Sequence, residues 1–317
     1  MPIHTSHPLP EADRPLAGPL RRCLRRYQLL LLAVLLSAPT VVLPAAIQVR
    51  DDAGVHIQLA QPARCIVSLA PYLTELLFAA GAGEALVGVS EYSDYPEAAN
   101  SLPRVGGGNG FDLEAIVALH PDLVVAWQSG NPAGQLARLK ALGLTVFLSE
   151  PRTLADVPAT LLRLGELAAT RAQATASAAR FRRRYRQLAQ RYSRRPVVPV
   201  FFQIWDRPLM TLNGDHLASD VIHLCGGRNV FAGLPSLAPQ VDIEAVLVAD
   251  PAVIIVAADD DPALLATWQQ WPALTAVAQG HVHAIGRDLL VRHSPRVLDG
   301  AAQLCEILES VRSEKGM

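Results

Sequence analysis

Hydrophobic residues in this chain follow two rhythms that alternate along its length. From Arg64 to about Glu150, short aliphatic runs at Ile66-Val67, Leu86 to Val89, Leu123 to Ala126 and Val146 to Leu148 are separated by stretches with helical spacing. Breakers such as Gly81, Gly83, Pro121 and Gly143 bound the runs. Short continuous apolar runs between helical patterns predict βαβ units and a mostly parallel sheet. The same rhythm returns from Pro196, at Val197 to Phe202, Val253 to Val256 and Val282 to Ile285. The prediction is an α/β protein of two lobes, each a mostly parallel sheet flanked by helices, over residues 47–152 and 196–317.

Residues 153–195 lack a strand rhythm and are rich in Ala, Leu, Arg and Gln, which favour helix. The piece Arg171 to Tyr192 would span about 33 Å as one helix. Its many arginines suit a solvated face, because Phe181, Tyr185 and Leu188 form an apolar stripe at helical spacing. A single long helical connector between the lobes is predicted. The lobes are also related by an ungapped repeat, in which Asp112 to Val125 corresponds to Asp242 to Ile255. Each copy reads as a short helix, a proline break and a buried strand. Asp112 and Asp242 are placed to cap those helices, and Glu114 and Glu244 fall in the first turn, where the helix dipole favours carboxylates. Two related lobes leave a cleft between them, a favoured location for a ligand.

Composition narrows the function. With 317 residues, half of them hydrophobic, the chain can build two cores. Its 28 Lys and Arg against 29 Asp and Glu give no global field toward nucleic acid or an anionic membrane. Arg21, Arg22, Arg25 and Arg26 precede the apolar stretch Tyr27 to Leu36, and Pro44 is followed by Ala45 and Ala46. This is the layout of a secretory signal peptide over residues 1–46, with an uncleaved N-terminal anchor as the alternative. Cys23 lies before the apolar run, so it cannot carry a lipid after processing, and a free periplasmic protein is expected. Among the remaining thiols, Cys225 and Cys305 are the expected pair and Cys65 the buried leftover, with three separate thiols as the alternative.

Several segments carry a resemblance to a known family. They are Arg64 to Pro71, Thr74-Glu75-Leu76, Tyr92-Ser93-Asp94-Tyr95-Pro96, Leu113 to Leu119 with Pro121 to Val124, and Ser294-Pro295-Arg296 with Ala301 to Cys305. Together they resemble the periplasmic cobalamin (vitamin B12)-binding proteins of ABC importers, over about Arg64 to Leu308. The resemblance implies a corrinoid held between two lobes with little hinge motion, a Cys225–Cys305 disulfide, and a monomer that docks on a dimeric ABC permease. It places Tyr92 and Trp127 against the corrin and its base, and Asp288 and Arg292 on the C-terminal wall. It also assigns Glu114 and Glu244 to contacts with the two permease subunits. Where a member of the family has cleft aromatics, this chain has Gly108, Ala238 and Ile204, and Trp205 stands beside the last of these as a candidate substitute.

The chemistry-bearing residues outside these segments are sparse. Gly106 to Gly110 lacks the Lys-Ser/Thr of a phosphate loop and reads as a flexible cleft edge. His281 and His283 share a strand face without a third ligand, and no metal site is expected. No Gly-x-Ser-x-Gly elbow, P-loop or His-Glu-x-x-His occurs, so an enzyme is not expected. No cofactor and no nucleic-acid partner are expected either. The alternative cargo is haem or a ferric siderophore, with His293 beside the cleft as a candidate axial ligand.

Overall fold

The computed structural model describes residues 46–108, 110–259 and 262–314. The expected signal peptide, apart from Ala46, lies outside the described residues.

The first element is one that the aliphatic rhythm did not announce. Strands β1 (Ile47–Arg50) and β2 (His56–Leu59) form an antiparallel hairpin around a turn at Asp52 to Gly54. Its alternation turns Ile57 and Leu59 into the core while His56 and Gln58 face water. The Asp51 carboxylate closes the turn by accepting the Val55 N–H at 2.7 Å.

The first lobe continues through β3 (Ile66–Ser68), α1 (Pro71–Ala79), β4 (Leu86–Val89), the two-residue strands β5 (Gly106–Gly107) and β6 (Gly110–Phe111), α2 (Leu113–Ala118), β7 (Leu123–Trp127), α3 (Ala133–Ala141) and β8 (Val146–Ser149). Its sheet has the order β4-β3-β7-β8, all parallel. Leu123 to Ala126 are fully buried because helices cover both faces of β7, and the Leu and Val side chains among them contribute about 1.5–3 kcal/mol each.

The second lobe comprises β9 (Val198–Gln203), the short pair β10 (Trp205–Asp206) and β11 (Leu209–Met210), α6 (Leu217–Leu224), β12 (Gly227–Asn229), α7 (Ile243–Ala249), β13 (Val253–Ala257), α8 (Pro262–Ala266), α9 (Thr275–Ala278), β14 (Val282–Ile285), α10 (Arg287–Val291) and α11 (Val297–Glu314); α4 and α5 fall between the lobes. Its parallel sheet has the order β12-β9-β13-β14. The sequence repeat places β13 on β7, and each occupies the same interior place in its sheet. The correspondence extends to the backbone. Asp112 and Asp242 accept the N–H of Ala115 and Ala245 at 2.9 and 2.8 Å, and the helices that they cap end at His120 (φ 45°) and Asp250 (φ 37°). Both left-handed residues precede a proline, which disfavours the right-handed helical region before it.

Between the lobes, α4 (Asp156–Leu167) packs on β1 and α1, and α5 (Arg171–Tyr192) runs on as one helix of 22 residues. The two helices cross closely, since a Cβ on Gly165 would stand 2.3 Å from that of Ala174. α5 is fastened at both sides: Ser177 Oγ donates to the Ala79 carbonyl at 2.7 Å in the first lobe, and Arg184 pairs with Asp299 of α11 in the second. Phe181 is buried and Tyr185 half-buried, while Arg180, Arg182, Arg183, Arg184 and Arg186 are exposed.

A disulfide joins Cys225 to Cys305 across 80 residues, tying the end of α6 to α11. Cys65 is free but half-buried rather than fully enclosed, because it sits just ahead of β3, where its N–H meets the Asp122 carboxylate at 2.9 Å. Among the described residues, no helix is long and apolar enough to cross a membrane.

Candidate functional site

A cavity of about 340 Å³ lies between the lobes, lined by Pro71, Tyr72, Tyr92 and Trp127 from the first and by Ile204, Leu212, His216, Leu237, Ala238, Asp288, Val291 and Arg292 from the second. Most of these residues follow the carboxyl ends of parallel strands: Tyr72 after β3, Tyr92 after β4, Trp127 at the end of β7, Ile204 after β9 and Asp288 after β14. Open α/β sheets place ligands at that edge. Two larger hollows, one beside α2 and one beside the β10–β11 pair, are each lined by one lobe alone.

The aromatic wall is held from behind. The backbone N–H of Trp127 donates to Asn131 Oδ1 at 2.7 Å, and Asn131 Nδ2 donates to the Leu69 carbonyl at 2.9 Å, so the β7 end is locked to the chain after β3. The indole lies over Gly130, where an added Cβ would come within 1.9 Å of the ring. Tyr72 meets Trp127 edge to face with centroids 5.8 Å apart, a geometry that suits the ring quadrupoles. Tyr92 is 76 % exposed and has a φ of 61°, so its ring stands at the mouth on a left-handed backbone.

His216 completes the floor, with the buried His293 packed against it at 4.9 Å between ring centroids. Desolvation by burial lowers the pKa of both, that of His293 to about 4, and the neighbouring His293 adds to the effect on His216. His216 Nδ1 accepts the Ala218 N–H at 3.1 Å, which leaves the ring proton on Nε2. The sequence offered no pattern that would mark His216.

Charge gathers at one side of the cavity. Arg292 Nη1 donates to Glu75 at 3.0 Å and to Asp94 at 2.7 Å, while Nη2 reaches the Tyr92 carbonyl at 3.1 Å and Asp288 at 2.8 Å. Burial disfavours the charged forms of Asp94, Asp288 and Arg292. For Asp94 the hydrogen bond and charge of Arg292 win and the carboxyl lies below its ordinary value, whereas for Asp288 burial wins and the pKa is raised. Arg292 itself is held above its ordinary value, since the hydrogen bonds to Asp94 and Glu75 outweigh its desolvation.

Of the residues expected in the cleft, Tyr92, Trp127, Asp288 and Arg292 line the cavity together, and Trp205 does not. Ile204 takes the cleft side of that segment. The Trp205 ring packs under the Arg287 guanidinium at 5.2 Å, and its indole N–H bonds to the Arg207 carbonyl. Ala238 also lines the cavity, and a Cβ on Gly108 would meet nothing within 4 Å. Where a flexible cleft edge was expected, Gly106–Gly107 and Gly110–Phe111 pair as a short antiparallel ladder. Glu114 and Glu244 are exposed, and the burial pattern from Phe111 to Ile116 repeats residue for residue from Val241 to Val246. Among the described residues, no group of three or more His, Cys, Asp or Glu side chains is arranged to hold a metal ion.

Twin parallel sheets, a cleft at their carboxyl edges and one long connecting helix define a two-lobed binding protein of the helical-connector class. Residues 66–289 match the periplasmic binding protein family, and the chain belongs to it. It is 37% identical over 259 residues to the vitamin B12-binding protein of Vibrio parahaemolyticus, covering 80% of this chain and 93% of that one. The crystal structure of the periplasmic vitamin B12-binding protein BtuF of Vibrio cholerae has a TM-score of 0.75 at 39% identity, covering 79% of this chain and 98% of that one. A periplasmic haem-binding protein from Pseudomonas aeruginosa is similar at 26% identity with a TM-score of 0.67, covering 77% of this chain and 91% of that one.

Proposed function

We propose that this protein captures a corrinoid, cobalamin or a close relative, in the periplasm and delivers it to an ABC permease dimer. The observation that carries the reading is the cleft itself. Its two lobes bring together aromatic rings (Tyr72, Tyr92, Trp127), aliphatic walls (Ile204, Leu212, Val291) and one polar corner at Asp288 and Arg292. A flat macrocycle with amide arms needs that combination: apolar faces for the ring, and a few fixed polar groups for orientation. The relatives named for vitamin B12 match nearly their whole length, which supports the same cargo here. Export by a cleaved N-terminal signal over residues 1–46 is part of the proposal, as is docking through Glu114 and Glu244.

The test is a titration of the mature protein with cyanocobalamin, haemin and a ferric siderophore in parallel. Saturable binding of cyanocobalamin alone is expected. Saturable haemin binding with none for cyanocobalamin would transfer the protein to the haem carriers.

A further inference from the structure

Glu75 is the most enclosed carboxylate in the cross-lobe network, and nothing in the cavity lining includes it. It lies on α1, one helical turn after the cavity residue Tyr72, with its side chain only 2% exposed. All of its hydrogen-bond donors come from the other lobe. Oε1 accepts from Arg292 Nη1 at 3.0 Å and Arg296 Nη2 at 2.6 Å, and Oε2 accepts from Ser294 Oγ at 2.6 Å and Arg296 Nε at 2.9 Å. Arg296 is thereby held in a bidentate fork, and its guanidinium also stacks on the Tyr95 ring of the first lobe at 3.9 Å. Arg292, fixed by the same carboxylate, bonds back to the Tyr92 carbonyl at 3.1 Å.

We infer that Glu75 is a positioning residue for ligand capture: by clamping Arg292 and Arg296 it sets the gap between the lobes and holds Tyr92 at the mouth of the cleft. The inference rests on the carrier reading above. A buried carboxylate satisfied by partners from its own lobe would be packing alone, whereas here every partner crosses the cleft. Breaking the cluster at Glu75 takes from Arg296 the carboxylate that holds it and leaves Arg292 with Asp94 and Asp288, so the interlobe gap is held by fewer bonds and widens toward water. The left-handed backbone of Tyr92 is costly for a bulky residue and persists where its surroundings hold it. Displacing Arg292 weakens the bond to the Tyr92 carbonyl and leaves Asp94 as the remaining tie on that segment. Cobalamin would then bind only the fraction of molecules whose cleft is correctly spaced.

The experiment uses the mature protein with Cys65→Ser and spin labels at Lys140→Cys and Arg228→Cys, two exposed positions on opposite lobes. Interlobe distance distributions of the unliganded protein are compared with Glu75→Gln and Arg296→Gln, alongside cyanocobalamin titrations. Arg296 is outside the cavity lining, so its variant removes a clamp and no ligand contact. The expected result is a broadened distribution in both variants and a Kd raised about tenfold in Glu75→Gln, as for a competent state reduced to about a tenth. Unbroadened distributions overturn the clamp, and broadened ones with an unchanged Kd overturn its role in capture. If Glu75→Gln does not fold, Arg296→Gln decides between these outcomes by the same two readouts. Failure of the unsubstituted protein to bind cyanocobalamin would strike the carrier reading instead, and the distances alone would then decide the clamp.

Discussion

His216 and His293 stand with ring centroids 4.9 Å apart beneath the cleft, both buried, and His293 Nδ1 has no hydrogen-bond partner. Tyr72 and Trp127 press edge-on against the His293 ring, at 5.2 and 5.9 Å between centroids. Burial favours the neutral form of both rings near pH 7, and among the described residues neither forms an ion pair with a carboxylate.

A pH dependence of stability follows. Burial lowers the His293 pKa to about 4, while the unfolded chain takes up the same proton near pH 6.5. Between these values the unfolded state binds more protons, so stability falls as pH falls. The contribution is intact above about pH 6.5 and lost progressively toward about pH 4, amounting to about 3 kcal/mol for His293. His216 acts in the same direction. Urea unfolding of the wild type and of His293→Phe between pH 7.5 and 4.5 measures the difference, and the variant should show the shallower loss. Parallel curves would mean that His293 is not protonated on unfolding.

Trp127 gives the most direct test of the wall. Its backbone is locked by Asn131 and its ring braced by Tyr72, so the surface it offers is already in place before a ligand arrives. A large, preplaced aromatic of this sort is typical of the residues that dominate binding energy. Trp127→Ala is expected to weaken cyanocobalamin binding about 30-fold, whereas Trp127→Phe should retain much of it. Wild-type affinity in Trp127→Ala, measured by titration, would show that the ring only packs.

The parts of this structure that were legible in the sequence are those written in local pattern. The helix-proline-strand repeat carries its own N-cap, its own break and its own aliphatic strand, and the two copies fold alike down to the left-handed His120 and Asp250. The β1–β2 hairpin was not visible, because four residues per strand give too short an alternation to stand out beside an export segment. Trp205 lies outside the cavity lining for a reason of parity: neighbours on an extended segment face opposite ways, and Ile204 takes the cleft side. Glu75 and Arg292 are 217 residues apart, so no spacing rule links them. Arg312 was equally hidden: it is buried at 2% exposure and donates to the carbonyls of Pro196, Cys225 and Gly226.

The Cys225–Cys305 bond should matter for stability and not for recognition. It closes a loop across a separation of 80 residues inside the second lobe, and neither cysteine lines the cavity. Constraining the unfolded chain over such a loop is worth about 4 kcal/mol in the loop-entropy account. The double variant Cys225→Ala, Cys305→Ala is expected to lose stability on that order in urea unfolding while keeping its cobalamin affinity. An unchanged unfolding midpoint would show that the bond is dispensable.

Docking and binding should separate cleanly. Glu114 and Glu244 occupy equivalent first-turn positions on α2 and α7, both are exposed, and neither enters the cleft cavity. A pair of like carboxylates related by the pseudo-symmetry of the lobes is what a two-fold partner would require, each lobe meeting one subunit. Such rim charges act on encounter and register more than on the ligand. The double variant Glu114→Arg, Glu244→Arg should therefore bind cyanocobalamin with wild-type affinity and yet fail to support its uptake in cells that depend on this protein. Each single variant should fall between. Normal uptake in the double variant would leave the two residues as nothing more than charges at favourable helix ends, each worth about 0.3–1 kcal/mol to its own helix.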